Sequence, residues 1–129
     1  MKALGQSLAL ATLLLGSASP VLADTAQEVF ICKLNDGKTM ADLNKVIADF
    51  KQMIVKFNGG DKYQAWLLTP TAADDLATIV WVGEMPDGAG LAALQDEYRT
   101  SEAGQKQDKK FRGVITCKSR STWNSERLK

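Results

Sequence analysis

The sequence predicts an α+β domain in which a four-stranded antiparallel sheet carries two helices on one face, in the order β-α-β-β-α-β. Two observations predict this class. Residues 40–57 repeat apolar side chains at spacings of three and four, as an amphipathic helix does. Four short segments are rich in β-branched and aromatic residues and end at turn residues, as strands do. The chain has 129 residues, which is enough for one domain.

The first strand and the first helix meet at a polar turn. Residues 27–34 (QEVFICKL) predict the strand, and residues 35–37 (NDG) predict the turn. Thr39 precedes Asp42 by three positions, which indicates a capping box at the start of the helix. The helix is expected to end at the glycine signal of residues 58–60. Its apolar side consists of Met40, Leu43, Val46, Ile47, Phe50, Met53, Ile54 and Phe57.

Three further strands follow. Residues 63–68 (YQAWLL) and residues 77–83 (ATIVWVG) predict the second and third strands, and each is followed by a turn that contains proline. Residues 111–118 (FRGVITCK) predict the last strand.

The second helix is predicted to begin near Ala89 and to carry Leu91, Leu94 and Tyr98 on its apolar side. The polar residues 101–110 follow it and predict either an exposed helix or a loose connection.

Residues 1–23 predict a cleaved signal peptide, with Lys2 before an apolar run and small residues leading to Ala23. The apolar run is shorter than the roughly 20 residues that span a bilayer, which argues against a membrane anchor. No cysteine lies near Ala23, so a lipoprotein anchor is excluded. We therefore expect a periplasmic or secreted protein with an α+β domain over residues 24–120, a polar basic tail over residues 121–129 and no membrane anchor after cleavage.

The two cysteines predict a disulfide, because an exported protein with an even cysteine count normally pairs them. The predicted order is the split βαβ arrangement of the ferredoxin-like fold, whose sheet order is 4-1-3-2. Cys32 lies in the first strand and Cys117 in the last, and these strands are neighbours in that sheet. A redox pair is the alternative, but the sequence has no C-x-x-C motif.

Composition excludes several function classes. The sequence has no histidine, which excludes Ser-His-Asp and Cys-His catalysis, histidine-ligated zinc and a proximal-histidine haem. After residue 23 the chain carries 15 basic and 15 acidic groups, and a neutral chain argues against nucleic-acid binding. We predict no metal site and no cofactor.

Charge is uneven along the chain, because residues 106–129 carry 8 basic and 2 acidic groups. This segment either lies near acidic helix surfaces of its own domain or forms a basic patch for an anionic partner or a membrane surface.

The strands at residues 63–68 and 77–83 are apolar on both sides, although two helices would cover only one face of the sheet. The other face would then expose a contiguous apolar area, which monomers rarely do. We expect a homodimer that buries this open face. The alternative is a monomer in which the basic tail and Trp123 cover it.

Residues 32–40 (CKLNDGKTM), 63–66 (YQAW) and 81–83 (WVG), with Pro86 and Asp87, carry a resemblance to known proteins. The chain resembles the dimeric α/β-barrel group of ferredoxin-like proteins and, within it, small exported bacterial proteins with no established activity. The group includes cofactor-independent oxygenases and haem-degrading enzymes, whose pockets lie between sheet and helices. The missing histidine argues against haem degradation.

Five residues are of types that such a pocket uses, and they form the candidate pocket: Asn35, Trp66, Trp81, Tyr98 and Arg99. Each also has a structural interpretation, as part of a tight turn, as a core or interface tryptophan, or as the solvated end of a helix. Glu84 and Asp87 are spaced as paired carboxylates could be, but no second feature of the sequence supports acid-base chemistry there.

Two functions remain open. The chain is a binding protein for a small ligand or a partner, without catalysis, or it is an oxygenase- or isomerase-like enzyme without a cofactor. An enzyme should have a cavity that holds Asn35, Tyr98 or Arg99 beside a tryptophan, with some polar groups unpaired. A binding or structural module should have a filled core and at most a groove.

Overall fold

The structure is a computed structural model that describes residues 25–72 and 74–126. The predicted signal peptide of residues 1–23 and the end of the predicted tail, residues 127–129, lie outside the described residues. The elements in chain order are β1 (Thr25–Leu34), α1 (Met40–Ile54), a short 3-10 turn (Gly60–Lys62), β2 (Gln64–Leu68), β3 (Thr78–Met85), α2 (Gly88–Thr100), α3 (Glu102–Arg112) and β4 (Ile115–Ser125).

The four strands form one antiparallel sheet in the order β2-β3-β1-β4, as predicted. The ferredoxin-like fold class is therefore confirmed. Cys32 lies directly opposite Cys117 on the neighbouring strands β1 and β4, and the two form the predicted disulfide.

Helix α1 begins with the predicted capping box. The Thr39 hydroxyl accepts a hydrogen bond from the backbone N–H of Asp42, and the Asp42 carboxylate accepts one from the backbone N–H of Thr39 at 3.0 Å. The helix ends at Ile54, before the glycine signal, because a turn and the 3-10 segment follow it. Its buried residues are Leu43, Val46, Phe50 and Ile54.

A third helix, α3, occupies most of the segment predicted as either exposed helix or loose connection, so residues 25–72 and 74–126 contain three α-helices and not the two predicted. Ser101 separates it from α2 with extended backbone and caps it by accepting a hydrogen bond from the N–H of Gly104. Gly104 is buried against the backbone of Tyr98, where a Cβ would overlap it. The close packing of α3 on α2 therefore requires a glycine here.

Strand β4 lies later in the sequence than predicted, because α3 continues through Arg112. Phe111, predicted to open the strand, is helical and packs its ring against the core. At its other end β4 continues through residues 121–125, predicted as tail, because β1 offers a partner as far as the Thr25–Ser125 pair.

The helices cover one face of the sheet, where Ile79 and Met85 of β3 are buried with apolar residues of α1 and α2. Side chains alternate along a strand, so Val80, Val82 and Glu84 point to the opposite, open face, whereas Trp81 points to the helix side. Residues 121–125 lie at the sheet edge in β4 and do not fold over this face. No helix in the described part of the chain has the length and apolar character needed to cross a membrane. The apolar residues of the open face are Val29, Ile31, Trp66, Leu68, Val80, Val82 and Trp123.

Candidate functional site

A cavity of about 1060 Å³ lies between the sheet and the helices. Its walls come from β1, α1, β3, α2, α3 and β4. Its volume lies slightly above the roughly 300–1,000 Å³ typical of small-molecule sites. The aromatic residues that line it are Phe30, Phe50, Tyr63, Trp81, Tyr98 and Phe111.

Phe50 of α1 organises the aromatic wall. Its ring meets those of Trp81 and Phe111 edge to face, with centroids 5.3 and 5.8 Å apart. Tyr63 and Tyr98 contact the same ring at 5.9 and 6.3 Å. Edge-to-face packing fixes the orientation of aromatic rings, so this wall is a defined surface on which a flat apolar molecule can lie.

Glu28 is the buried carboxylate of the cavity and is only 9% exposed. One of its oxygens accepts a hydrogen bond from the Tyr63 hydroxyl at 2.7 Å, and the other accepts one from the Gln95 amide at 2.8 Å. The Arg120 guanidinium lies 3.8 Å from the second oxygen. A buried carboxylate is costly unless it is paired, and these three groups compensate it.

Tyr63 extends this network to the sheet, because its hydroxyl accepts a hydrogen bond from the Trp81 indole at 2.9 Å. Burial, the charge of Glu28 and the hydrogen bond to Glu28 raise the pKa of Tyr63 far above its ordinary value. Burial and the negative charges of Asp108 and Glu28 also raise the pKa of Tyr98. Both phenols are therefore protonated at neutral pH, and Tyr63 donates its hydroxyl proton to Glu28 in a hydrogen bond.

Gly83 of β3 makes room for Tyr63. A Cβ at this position would overlap the tyrosine hydroxyl and its ring. The glycine thus lets the phenol pack closely against β3, within hydrogen-bond distance of both Glu28 and Trp81.

The side of the cavity near β4 is basic. Arg120 lies over the Phe30 ring, with its guanidinium carbon 5.2 Å from the ring centroid. Lys118 also lines this side, since a β-bulge opposite Ile31 and Cys32 inserts it into β4. In residues 25–72 and 74–126, no group of three or more Cys, Asp or Glu side chains is arranged to hold a metal ion.

Three of the five candidate pocket residues line the cavity: Trp81, Tyr98 and Arg99. Trp66 does not, because it lies on the open face and is 44% exposed. Asn35 also lies outside, in the exposed turn after β1. Its amide donates to the carbonyl of Arg112 at 2.9 Å, and its side-chain oxygen accepts from the Thr116 hydroxyl at 2.7 Å.

Glu84 and Asp87 do not form a carboxylate pair, because each accepts a hydrogen bond from a different group. Glu84 accepts a hydrogen bond from the Gln27 amide at 2.8 Å, on the open face. Asp87 is the N-cap of α2 and accepts one from the N–H of Gly90 at 2.7 Å.

Sequence reasoning missed Glu28, Tyr63, Gln95 and Arg120 as site residues. One signal for Glu28 was present, because it alternates with Ala26, Phe30 and Cys32 on the helix-facing side of β1. A carboxylate in such an inward position needs a partner, which makes it a site candidate.

No family model and no curated protein matches the chain. Solved structures match it at low identity. SnoaB, a cofactor-independent oxygenase from Streptomyces nogalater, is 13% identical, with 82% of this chain and 97% of that chain covered and a TM-score of 0.62. A NIPSNAP domain protein from Burkholderia xenovorans is 12% identical, with coverages of 80% and 94% and a TM-score of 0.58.

A dimeric ferredoxin-like protein of unknown function from Thermobifida fusca is also similar. It is 12% identical, with coverages of 80% and 91% and a TM-score of 0.51. At these identities the likenesses concern the fold.

Proposed function

We propose that this chain is an exported, disulfide-stabilised homodimer that binds a small ligand in the cavity between its sheet and helices. The observation that carries the binding function is the cavity of about 1060 Å³ with its aromatic wall and paired polar groups. A domain that needed only stability would fill this volume, because cavities are destabilising. The cavity holds Tyr98 and Arg99 beside Trp81, as expected of an enzyme. Every buried side-chain polar atom in the described residues nevertheless has a hydrogen-bond partner, and this second criterion favours binding over catalysis as the first hypothesis.

The three tryptophans allow ligand binding to be located by NMR. Trp81 lines the cavity, whereas Trp66 and Trp123 lie on the open face. We expect 2-naphthoate or its neutral counterpart 2-naphthylmethanol, added to the ¹⁵N-labelled protein, to shift the indole N–H signal of Trp81. The variants Trp66→Phe, Trp81→Phe and Trp123→Phe assign the three signals.

The open-face tryptophans are internal controls. A probe that shifts only the Trp66 and Trp123 signals binds outside the cavity and contradicts the proposal, as does a set of three unchanged signals with both probes.

Export is supported by the leader pattern of residues 1–23 and by the Cys32–Cys117 disulfide, since disulfides persist in oxidising compartments. Mass spectrometry of the protein from a periplasmic fraction should give a chain that begins at Asp24. A full-length chain in the cytosol would contradict export.

The open face supports the homodimer. Trp66, Leu68 and Trp123 are 44%, 50% and 57% exposed there, and apolar patches of this kind mark interfaces. The Thermobifida fusca protein with this fold is described as dimeric.

Sedimentation of the wild type and of Trp66→Glu tests the dimer. We expect a dimeric wild type and a monomeric variant, because a charge cannot be buried unpaired in an apolar interface. Val55→Glu is the matched control, since Val55 is 57% exposed at the end of α1, away from the open face. A monomeric wild type would refute the dimer.

A second candidate function is proton-transfer catalysis without a cofactor, as an isomerase or an oxygenase requires in its first step. Glu28 favours it, because this buried carboxylate in the cavity is held by Tyr63 and Gln95 and is of a type that accepts protons. The similar fold of SnoaB, a cofactor-independent oxygenase, is consistent with this candidate.

Deuterium exchange at the acidic C–H of 2-tetralone in D₂O tests Glu28 as a base. Removal of this proton gives the enolate, which then takes a deuteron from the solvent. We expect exchange about 10²-fold or more above buffer with the wild type and a loss of this acceleration with Glu28→Gln. Glu84→Gln, which alters a carboxylate on the open face, should keep it. A wild type that does not exceed buffer would contradict the catalytic candidate.

A further inference from the structure

The cavity lining carries more positive than negative charge. Its cations come from α2, α3 and β4, and its anions are Glu28 and Asp108. The side chains that carry the positive charge are Arg99, Lys109, Arg112, Lys118 and Arg120. With five cations and two anions, the lining has a net charge of +3.

The negative charges of the lining are already compensated. Asp108 pairs with Arg112 at 2.7 Å, and Glu28 is held by Tyr63, Gln95 and Arg120. Neither carboxylate therefore needs a cation from a ligand.

Two lysines of the lining have no such compensation. Within residues 25–72 and 74–126, neither Lys109 nor Lys118 forms an ion pair. Both are exposed, whereas Glu28 is buried, so the positive charge lies on the solvent side of the cavity. An anionic group that enters would meet these lysines before it reached the carboxylate.

The inner side of the cavity is apolar and aromatic. The rings of Phe50, Trp81 and Phe111 pack edge to face there, with Trp81 and Phe111 centroids 5.9 Å apart. Such a wall favours a flat apolar body.

We propose that the ligand class of this cavity is an aromatic acid, whose ring lies on the aromatic wall and whose carboxylate faces Lys109 and Lys118. The inference rests on the proposed ligand-binding function, since it concerns the same cavity. A carboxylate accepts charge-assisted hydrogen bonds from lysine ammonium groups, which are stronger than neutral ones.

A matched pair of probes tests the acid group. The Trp81 indole signal is followed during titration with 2-naphthoate and with 2-naphthylmethanol, which has the same ring and no charge. We expect 2-naphthoate to bind about tenfold more tightly or better at low salt, and we expect this ratio to shrink as salt screens the lysines.

Two double variants test whether the affinity for 2-naphthoate depends on the two cavity lysines or on the overall charge of the protein. Lys109→Gln with Lys118→Gln should weaken 2-naphthoate about fivefold or more and leave 2-naphthylmethanol unchanged. Lys45→Gln with Lys51→Gln removes the same charge from exposed positions of α1 and should alter neither affinity.

The outcomes distinguish this inference from the proposed function. Equal affinity for the two probes, tighter binding of the cationic 2-naphthylmethylamine, or equal losses in both double variants would overturn the aromatic-acid class while the cavity remained a binding site. A Trp81 signal that no probe shifts would overturn both.

Discussion

At the scale of single residues, one carboxylate and its partners define the site. Glu28 is buried, and its donors come from three other segments: Tyr63 before β2, Gln95 in α2 and Arg120 in β4. Gly83 allows this arrangement because it leaves space for the tyrosine hydroxyl. The polar end of the cavity is therefore assembled from four separate segments of the chain.

The two tyrosines predict a loss of stability in alkali. Because the folded-state pKa values of Tyr63 and Tyr98 lie above the unfolded value of about 10, the stabilisation from the neutral phenols is complete below about pH 10 and is lost as pH rises further. The free energy of unfolding, measured with urea at successive pH values, should fall above about pH 10. Absorbance at 295 nm should report phenolate only as the protein unfolds.

Tyr63→Phe with Tyr98→Phe isolates this effect from lysine titration. The double variant should show a flatter decline with pH, since these are the only tyrosines of the chain. Phenolate absorbance from a protein that remains folded near pH 10 would contradict the assignment.

At the scale of elements, the start of helix α1 follows from local sequence signals, whereas both ends of strand β4 follow from tertiary contacts. Helix α1 begins at its capping box as its sequence predicts, because the Thr39 and Asp42 groups lie within one turn of each other. Strand β4 was misplaced at both ends. Phe111 joins α3, where its ring can contact Phe50, and Ser125 joins β4 because Thr25 pairs with it.

Loss of the α1 cap has a predictable cost. Thr39→Ala should lower the free energy of unfolding by about 1 kcal/mol, because the N–H of Asp42 loses its hydroxyl acceptor. Hydrogen bonds from the backbone and the hydroxyl of Thr39 lower the pKa of Asp42, so this pKa should also rise in the variant. Urea unfolding and an NMR titration of the Asp42 carboxyl measure the two effects.

Asn44→Ala, at an exposed position of the same helix, is the control and should leave the Asp42 pKa unchanged without lowering the stability, because alanine favours the helix more than asparagine does. An unchanged stability in Thr39→Ala would show that the cap does not stabilise the helix.

At the scale of the whole molecule, the disulfide joins the start and the end of the fold. Cys32 and Cys117 are 85 residues apart in sequence and directly opposite in the sheet, and both line the cavity. The bridge therefore fixes β4, which carries Lys118 and Arg120, against β1, which carries Glu28.

Removal of the bridge should destabilise the domain strongly. The chain-entropy model gives about 4.6 kcal/mol as an upper figure for a separation of 85 residues. Urea unfolding of Cys32→Ala with Cys117→Ala, against the oxidised wild type, measures the loss. A loss below about 1 kcal/mol, or two free thiols in the denatured unreduced protein, would contradict the structural role.

The sequence by itself determined the order of the strands, helix α1, the disulfide partners and the apolar character of the open face. Periodicity and turn residues along the chain give the element order, and the ferredoxin-like fold that this order indicates places the first and last strands side by side. Residue type alone also predicted five pocket residues, of which Trp81, Tyr98 and Arg99 line the cavity and Asn35 and Trp66 lie elsewhere.

Only the tertiary structure decided which residues meet in the cavity. Tyr63 and Gln95 are 35 and 67 positions from Glu28, and they reach it because strand register and helix packing direct all three side chains into one space. The face of the sheet to which a strand side chain points depends on that register. Trp66 therefore lies on the open face, whereas Trp81 lines the cavity. Sequence patterns report the period of a strand, whereas the partners of a buried polar group are fixed by packing between distant elements.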